Sequence, residues 1–103
     1  MISATVTVDS TLLNNPEEVL TAIVHEFGDE FFQRVLRRTA VKTGKLRAGW
    51  VHHEAGRDFS IENGVEYSEY LENGTYKMAA QPMLRPTLEE SDQILELAVQ
   101  RAL

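Results

Sequence analysis

Apolar and polar residues alternate at the start of the chain, where Ile2, Ala4, Val6 and Val8 are separated by Ser3, Thr5 and Thr7. A period of two puts every apolar side chain on one face of an extended backbone, so this stretch is read as a strand with one buried face. Further on the period changes. Leu20, Ile23, Val24, Phe27, Phe31 and Val35 recur at helical spacing, and Glu26, Asp29, Glu30 and Arg34 occupy much of the remaining surface. That is the pattern of a long amphipathic helix whose stripe packs on a sheet. Its start is marked by Asn15 as a cap, Pro16 where no amide bond is lost, and Glu17 and Glu18 at the positive end of the dipole. Gly28 costs about 1 kcal/mol relative to alanine inside a helix, so it is expected to permit close packing or a slight bend. Lys42-Thr43-Gly44 is read as the close of the helix, with Gly44 supplying a left-handed cap.

The stretch from Gly49 to Glu62 reads as a hairpin of two strands, roughly Gly49 to Glu54 and Asp58 to Glu62. It is joined through Ala55-Gly56-Arg57 and ended by a turn at Asn63-Gly64. Tyr67, Tyr70 and Leu71 lie three and four residues apart, which suits one or two helical turns terminated at Gly74. Gln81 and Arg85 each precede a proline and are expected to be extended. Thr87 and Glu90 stand at capping-box spacing before a final helix, with Leu88, Ser91, Leu95, Ala98, Val99 and Ala102 along one side. Ile94 and Leu97 widen its apolar face and suggest a partner surface. The fold class expected is α+β: a small antiparallel sheet of about three to four strands packed against a long N-terminal helix and a C-terminal helix.

Length makes this one domain, residues 1–103. No apolar run approaches the roughly 20 residues that span a bilayer. The first residues lack the basic and apolar regions of an export signal, so an intracellular origin is expected. Absence of cysteine removes disulfides and thiolate metal sites. The net charge of −6 argues against a surface built throughout to hold phosphates.

The charge is nevertheless unevenly placed. Arg34, Arg37, Arg38, Lys42, Lys45 and Arg47 follow one another without an acid, whereas Glu54 to Glu72 carries six acids against Arg57 alone. Such ends can complement a helix dipole, neighbouring copies of the chain, or DNA.

Reactive constellations are sparse. His52 and His53 are adjacent on a strand and point to opposite faces, so they do not readily chelate one ion. His25 lacks a helical partner four residues on, and no serine or threonine sits in a nucleophile elbow. No residue is therefore assigned as catalytic, cofactor-binding or metal-binding, and no small-molecule substrate or membrane partner is expected. Trp50, Phe59, Tyr67, Tyr70 and Tyr76 are read as core and interface rings, with base stacking as the alternative use.

Two segments, in this order and separation, carry a resemblance. Thr43 to Trp50 reads TGKLRAGW, and Glu66 to Glu90 reads EYSEYLENGTYKMAAQPMLRPTLEE. They resemble the small neck or tail-completion proteins of long-tailed double-stranded DNA bacteriophages and prophages, in which a long helix leads into TG-x-LR. A hairpin, a YA-x-Y-x-E-x-GT segment, a QPF-LRPA segment and a closing helix then follow. The resemblance covers about Pro16 to the C-terminus. Thr43, Gly44, Leu46 and Arg47 match the first motif; Tyr67, Tyr70, Glu72, Gly74 and Thr75 the second; Gln81, Pro82, Leu84, Arg85 and Pro86 the third. Ser68, Met83, Thr87 and Gly49 depart from it, standing where alanine, phenylalanine, alanine and serine are usual.

What the resemblance implies is a virion assembly protein. Copies would form a ring in the head-to-tail connector or at the head-proximal end of the tail, touching other connector and tail proteins, with DNA passing through the lumen without sequence-specific binding. Its places would be the virion and, during assembly, the bacterial host cytoplasm. A ring needs different faces of each copy to meet, and the expectation is that Arg34 to Arg47 of one copy approaches Glu54 to Glu72 of the next. Tyr67, Tyr70 and Leu71 are expected to be buried, the prolines to stiffen a connection, and Thr75 to Ala80 to order against a neighbour. Two alternatives remain: a DNA-binding domain using Arg34 to Arg47, and a small metal-dependent hydrolase.

Overall fold

In a computed structural model, which describes residues 1–8, 17–39, 44–76 and 79–102, the alternating stretch forms β1 (Ile2–Thr7). Its even-numbered residues are half-buried and its odd-numbered ones exposed, and Val8 just beyond is buried. The hairpin is β2 (Trp50–Ala55) and β3 (Asp58–Asn63), joined by Gly56 and Arg57. A two-residue connection between right-twisted strands needs positive φ, which Gly56 supplies at 60°. The sheet is antiparallel throughout, in the order β1-β3-β2.

Register decides which residues meet. Val6, Phe59 and Glu54 form one cross-strand row, Ala4, Ile61 and His52 the next, and Ile2, Asn63 and Trp50 the third. These rows face the long helix α1 (Glu17–Arg38), whose whole predicted stripe is buried: Leu20, Ile23, Val24, Phe27, Phe31 and Val35. Phe59 completes an aromatic cluster with Phe27 and Phe31, the ring centres lying 6.0 and 5.4 Å away. Gly28 permits this close approach. A Cβ there would lie 2.8 Å from Phe59 Cδ2. The cap positions Asn15 and Pro16 lie outside the described residues.

Four features differ from the sequence reading. The long helix ends at Arg38, where the Thr39 hydroxyl donates to the Val35 carbonyl at 2.7 Å and itself accepts from Trp50 Nε1 at 2.8 Å. Gly44, at φ 74°, instead precedes a separate one-turn helix, α2 (Lys45–Ala48). Asn63 is buried and ends β3 through its side chain: Oδ1 accepts from the Val65 amide at 2.9 Å while Nδ2 donates to the Leu46 carbonyl at 2.8 Å.

The second and third differences concern the C-terminal helix. After α3 (Ser68–Asn73), the chain turns helical at Leu84 rather than at a cap on Thr87, giving α4 (Leu84–Glu89) and, past a break at Glu90, α5 (Ser91–Ala102). Thr87 is fully buried, and its hydroxyl donates back to the Met83 carbonyl at 2.8 Å. Arg85 and Pro86 are therefore helical, which proline tolerates in a first turn because that amide needs no intrahelical partner. Ile94, read as surplus apolar area, is instead central to the core together with Ala98, because α5 packs along α1; Leu88 faces outward.

The fourth difference is Tyr70, which is 57% exposed, whereas Tyr67 and Leu71 are half-buried against the core. α3 turns Ser68 and Glu72 inward, and the face so chosen leaves Tyr70 outside. The described helices include none long and apolar enough to cross a membrane.

Candidate functional site

Residues of the second and third motifs meet at one joint. Glu72, on α3 and only 7% exposed, accepts from the backbone amides of Met83 at 2.9 Å and Leu84 at 2.9 Å through Oε1, and from Arg85 at 3.0 Å through Oε2. These are the first amides of α4, which have no partner within their own helix, and the next residue is Pro86, which has no amide hydrogen. One carboxylate and one proline thus complete the helix start. Beside it the Gln81 amide donates to the Leu71 carbonyl at 2.7 Å, and Gly74, at φ 78°, lets the chain leave α3. The base of the connection between α3 and α4 is pinned on both sides.

The other motif residues divide between core and surface. Leu46 and Leu84 are buried, Pro82 and Pro86 half-buried, and Arg47, Thr75 and Arg85 exposed. Tyr76, two residues past Gly74, is 93% exposed. Lys42, Thr43, Lys77 and Met78 lie outside the described residues. At Gly49, a departure from the resembled pattern, a Cβ would stand 2.7 Å from Val65 Cγ2 and 2.8 Å from Asn63 Oδ1. The bond between that oxygen and Val65 is thus what makes glycine suit this chain.

The basic run is not one continuous face. Arg34 Nε pairs with Glu30 Oε2 at 2.7 Å, four residues earlier on α1, and Arg34 Nη1 lies 3.3 Å from Glu90 Oε1. Arg38 Nη1 reaches the same Glu90 oxygen at 2.7 Å and donates to Thr87 Oγ1 at 2.7 Å. Arg101, from α5, closes the cluster on Glu30 Oε1 at 3.1 Å, and Arg37 Nη2 lies 3.5 Å from Glu30 Oε2. The pairs link α1 to the α4–α5 break and to the end of α5. Arg34 foremost, with Arg101 assisting, holds the Glu30 carboxyl below its usual range against the opposing effect of burial. Arg38 does the same for Glu90, with Arg34 assisting.

The acidic stretch is divided too. Glu72 is consumed by the α4 amides, Glu54 lies 3.2 Å from His25 Nδ1, and Glu69 pairs with the Met1 amino group at 2.8 Å. Contact with Glu54 is the main reason that the His25 pKa is raised. The His52 ring packs against that of Phe32, 4.4 Å between ring centres and tilted by 41°. Among the described residues no group of three or more histidine and carboxylate side chains is placed to hold a metal ion.

Besides a hollow of about 410 Å³ at the joint, lined in part by Glu72, Leu84 and Arg85, two surface hollows stand out. One, of about 350 Å³, is lined by Glu30, Arg34, Arg37, Arg38 and Glu90. The other, of about 310 Å³, runs along the outer side of α5, with Leu95 and Val99 between Asp92, Glu96 and Gln100. Sequence reasoning missed Glu30, Glu90 and Arg101 as a cluster. Only the Glu30–Arg34 spacing signalled a pair, since Arg101 is 71 residues from Glu30. Set against known protein families, curated proteins and solved structures, the chain finds no match.

Proposed function

We propose that this chain is a structural component of a bacteriophage or prophage neck, joining head to tail as one copy in a ring. The observation that carries the reading is the Glu72 joint. The acid at the centre of the resembled motif is spent on three backbone amides. A carboxylate so engaged is committed to shaping the chain. The ordered motifs supply the rest of the support, since in order and separation they resemble those of that family.

The contacts between copies are assigned to groups that the fold leaves outward. Lys45 and Arg47 on α2 are exposed, as are Glu66, Tyr70 and Tyr76 around α3 and the following loop. Opposite charges on different elements suit a head-to-tail contact, which closes into a ring. This replaces the broader pairing of Arg34 to Arg47 with Glu54 to Glu72, because Arg34, Arg38 and Glu72 are engaged within the chain. Exposed aromatic rings add buried area at low entropic cost when a partner covers them.

The experiment is the mass of the purified chain in solution, alone and mixed with isolated tails, for the natural sequence and for Lys45→Glu with Arg47→Glu. Oligomers or tail-bound copies in the first case and monomers in the second, with circular dichroism unchanged, are expected. Equal assembly of both chains refutes this choice of contact.

A further inference from the structure

From the cluster on α1 and α5 we infer that the arginine-lined hollow is a binding site for a phosphate-type oxyanion. The inference does not depend on the assembly reading. Four of the ten basic side chains, Arg34, Arg37, Arg38 and Arg101, meet around two of the sixteen acids, Glu30 and Glu90. The cluster therefore carries +2, while the rest of the chain, at −6 overall, carries −8. Positive charge held together on a strongly acidic protein attracts an anion specifically to that place.

Hydrogen-bond capacity points the same way. Four guanidinium groups present roughly twenty N–H donors, and two carboxylates offer about eight lone-pair sites. Glu30 accepts from Nε of Arg34, Nη1 of Arg101 and Nη2 of Arg37, while Glu90 Oε1 is ion-paired with Nη1 of Arg34 and Nη1 of Arg38 without a hydrogen bond of good geometry. The Nη2 groups of Arg38 and Arg101 and Nη1 of Arg37 stand outside these contacts. Arg34 is 18% exposed and Arg38 32%, whereas Arg37 is 65% exposed at the rim. The carboxylates thus fix the inner arginines in place before any ligand arrives, and preorganisation of this kind lowers the entropy lost on binding. The hollow of about 350 Å³ has ample room for a tetrahedral anion, and planar guanidinium forks suit its oxygens.

The test titrates the whole chain with sodium phosphate, against sodium chloride at equal ionic strength and pH 7, while following the arginine Nε–Hε nuclear magnetic resonance signals. Phosphate should shift the signals of Arg34 and Arg38 saturably. Arg37→Gln should weaken the response by roughly tenfold, the loss of one charge-assisted bond. Because Arg37 is largely exposed, melting in chloride should stay the same. A short DNA duplex then separates the sources. Duplex binding that competes with phosphate and falls steeply with salt assigns the anion to a nucleic-acid backbone, and phosphate binding without duplex binding assigns it to a small phosphate; either supports the inference. A phosphate response no larger than that of chloride, or one unchanged by Arg37→Gln, overturns it. So does self-association that Arg37→Gln abolishes without any response to phosphate, which would give the hollow to a carboxylate of another copy.

Discussion

The Glu72 carboxylate accepts from the Leu84 amide at 2.9 Å across twelve residues of chain, and with its bonds to Met83 and Arg85 it starts a helix that has no cap of its own. Replacing Glu72 with alanine strands these donors in a region where Met83 and Leu84 are buried. An unmet buried group costs about 1–3 kcal/mol, so Glu72→Ala should lower stability by roughly 2–4 kcal/mol in urea unfolding. Glu72→Gln keeps one acceptor oxygen but turns an amide toward a donor, and should fall between the two. A loss under about 0.5 kcal/mol for alanine, the range of an ordinary surface change, would show that the joint is not needed.

Gly28→Ala reverses a familiar sign. In an open helix alanine gains about 1 kcal/mol over glycine. Here the new methyl would sit 2.8 and 2.9 Å from two carbons of the Phe59 ring, which is itself enclosed by Phe27 and Phe31. Overpacking of this kind costs about 1–3 kcal/mol, so a net destabilisation is expected in thermal melting. An increase in Tm would contradict the packing described.

Acid should loosen the link between α1 and the α4–α5 break. Glu30 and Glu90 both have pKa values lowered from 4.5 by their arginines. A carboxyl with a lowered folded pKa contributes stability that is present above the unfolded value and is lost as pH falls through the folded value. Stability should therefore decline below about pH 4.5, and Glu30→Gln should flatten that decline. His25 acts with the opposite sign: its raised pKa gives a contribution present below 6.5 and lost as pH rises through the folded value. His25→Gln should remove this alkaline-side loss, measured as urea midpoints from pH 5 to pH 9.

Much of the fold was legible because its signals are local. The α1 stripe repeats at helical spacing from Leu20 to Val35 and meets a single core, so every member is buried. β1 and the hairpin follow from alternation and from Gly56. What escaped was set by distant parts of the chain. Thr87 and Glu90 have the spacing of a capping box, but the acid that satisfies the helix start is Glu72, far upstream, and Thr87 serves Arg38 and the Met83 carbonyl. In the candidate site, the motif residues were visible while their roles were not, since burial of Glu72 and exposure of Tyr70 depend on which side of a short helix meets the core. Arg101 joined the basic cluster only through the packing of α5 on α1.

Tyr76 separates folding from assembly. At 93% exposure its ring contributes little to the core, so Tyr76→Ser should change stability by less than about 0.5 kcal/mol. The same change should weaken attachment to tails, read as the fraction of chain sedimenting with them. Loss of stability without loss of attachment would place the ring's role in the fold.

The assembly reading meets its most direct test in electron microscopy of virus particles made in cells where only this chain is missing. Filled heads and finished tails lying unjoined, and restored to whole particles by adding the purified protein, are the predicted result. Intact, infectious particles forming at the normal yield without it would contradict the account.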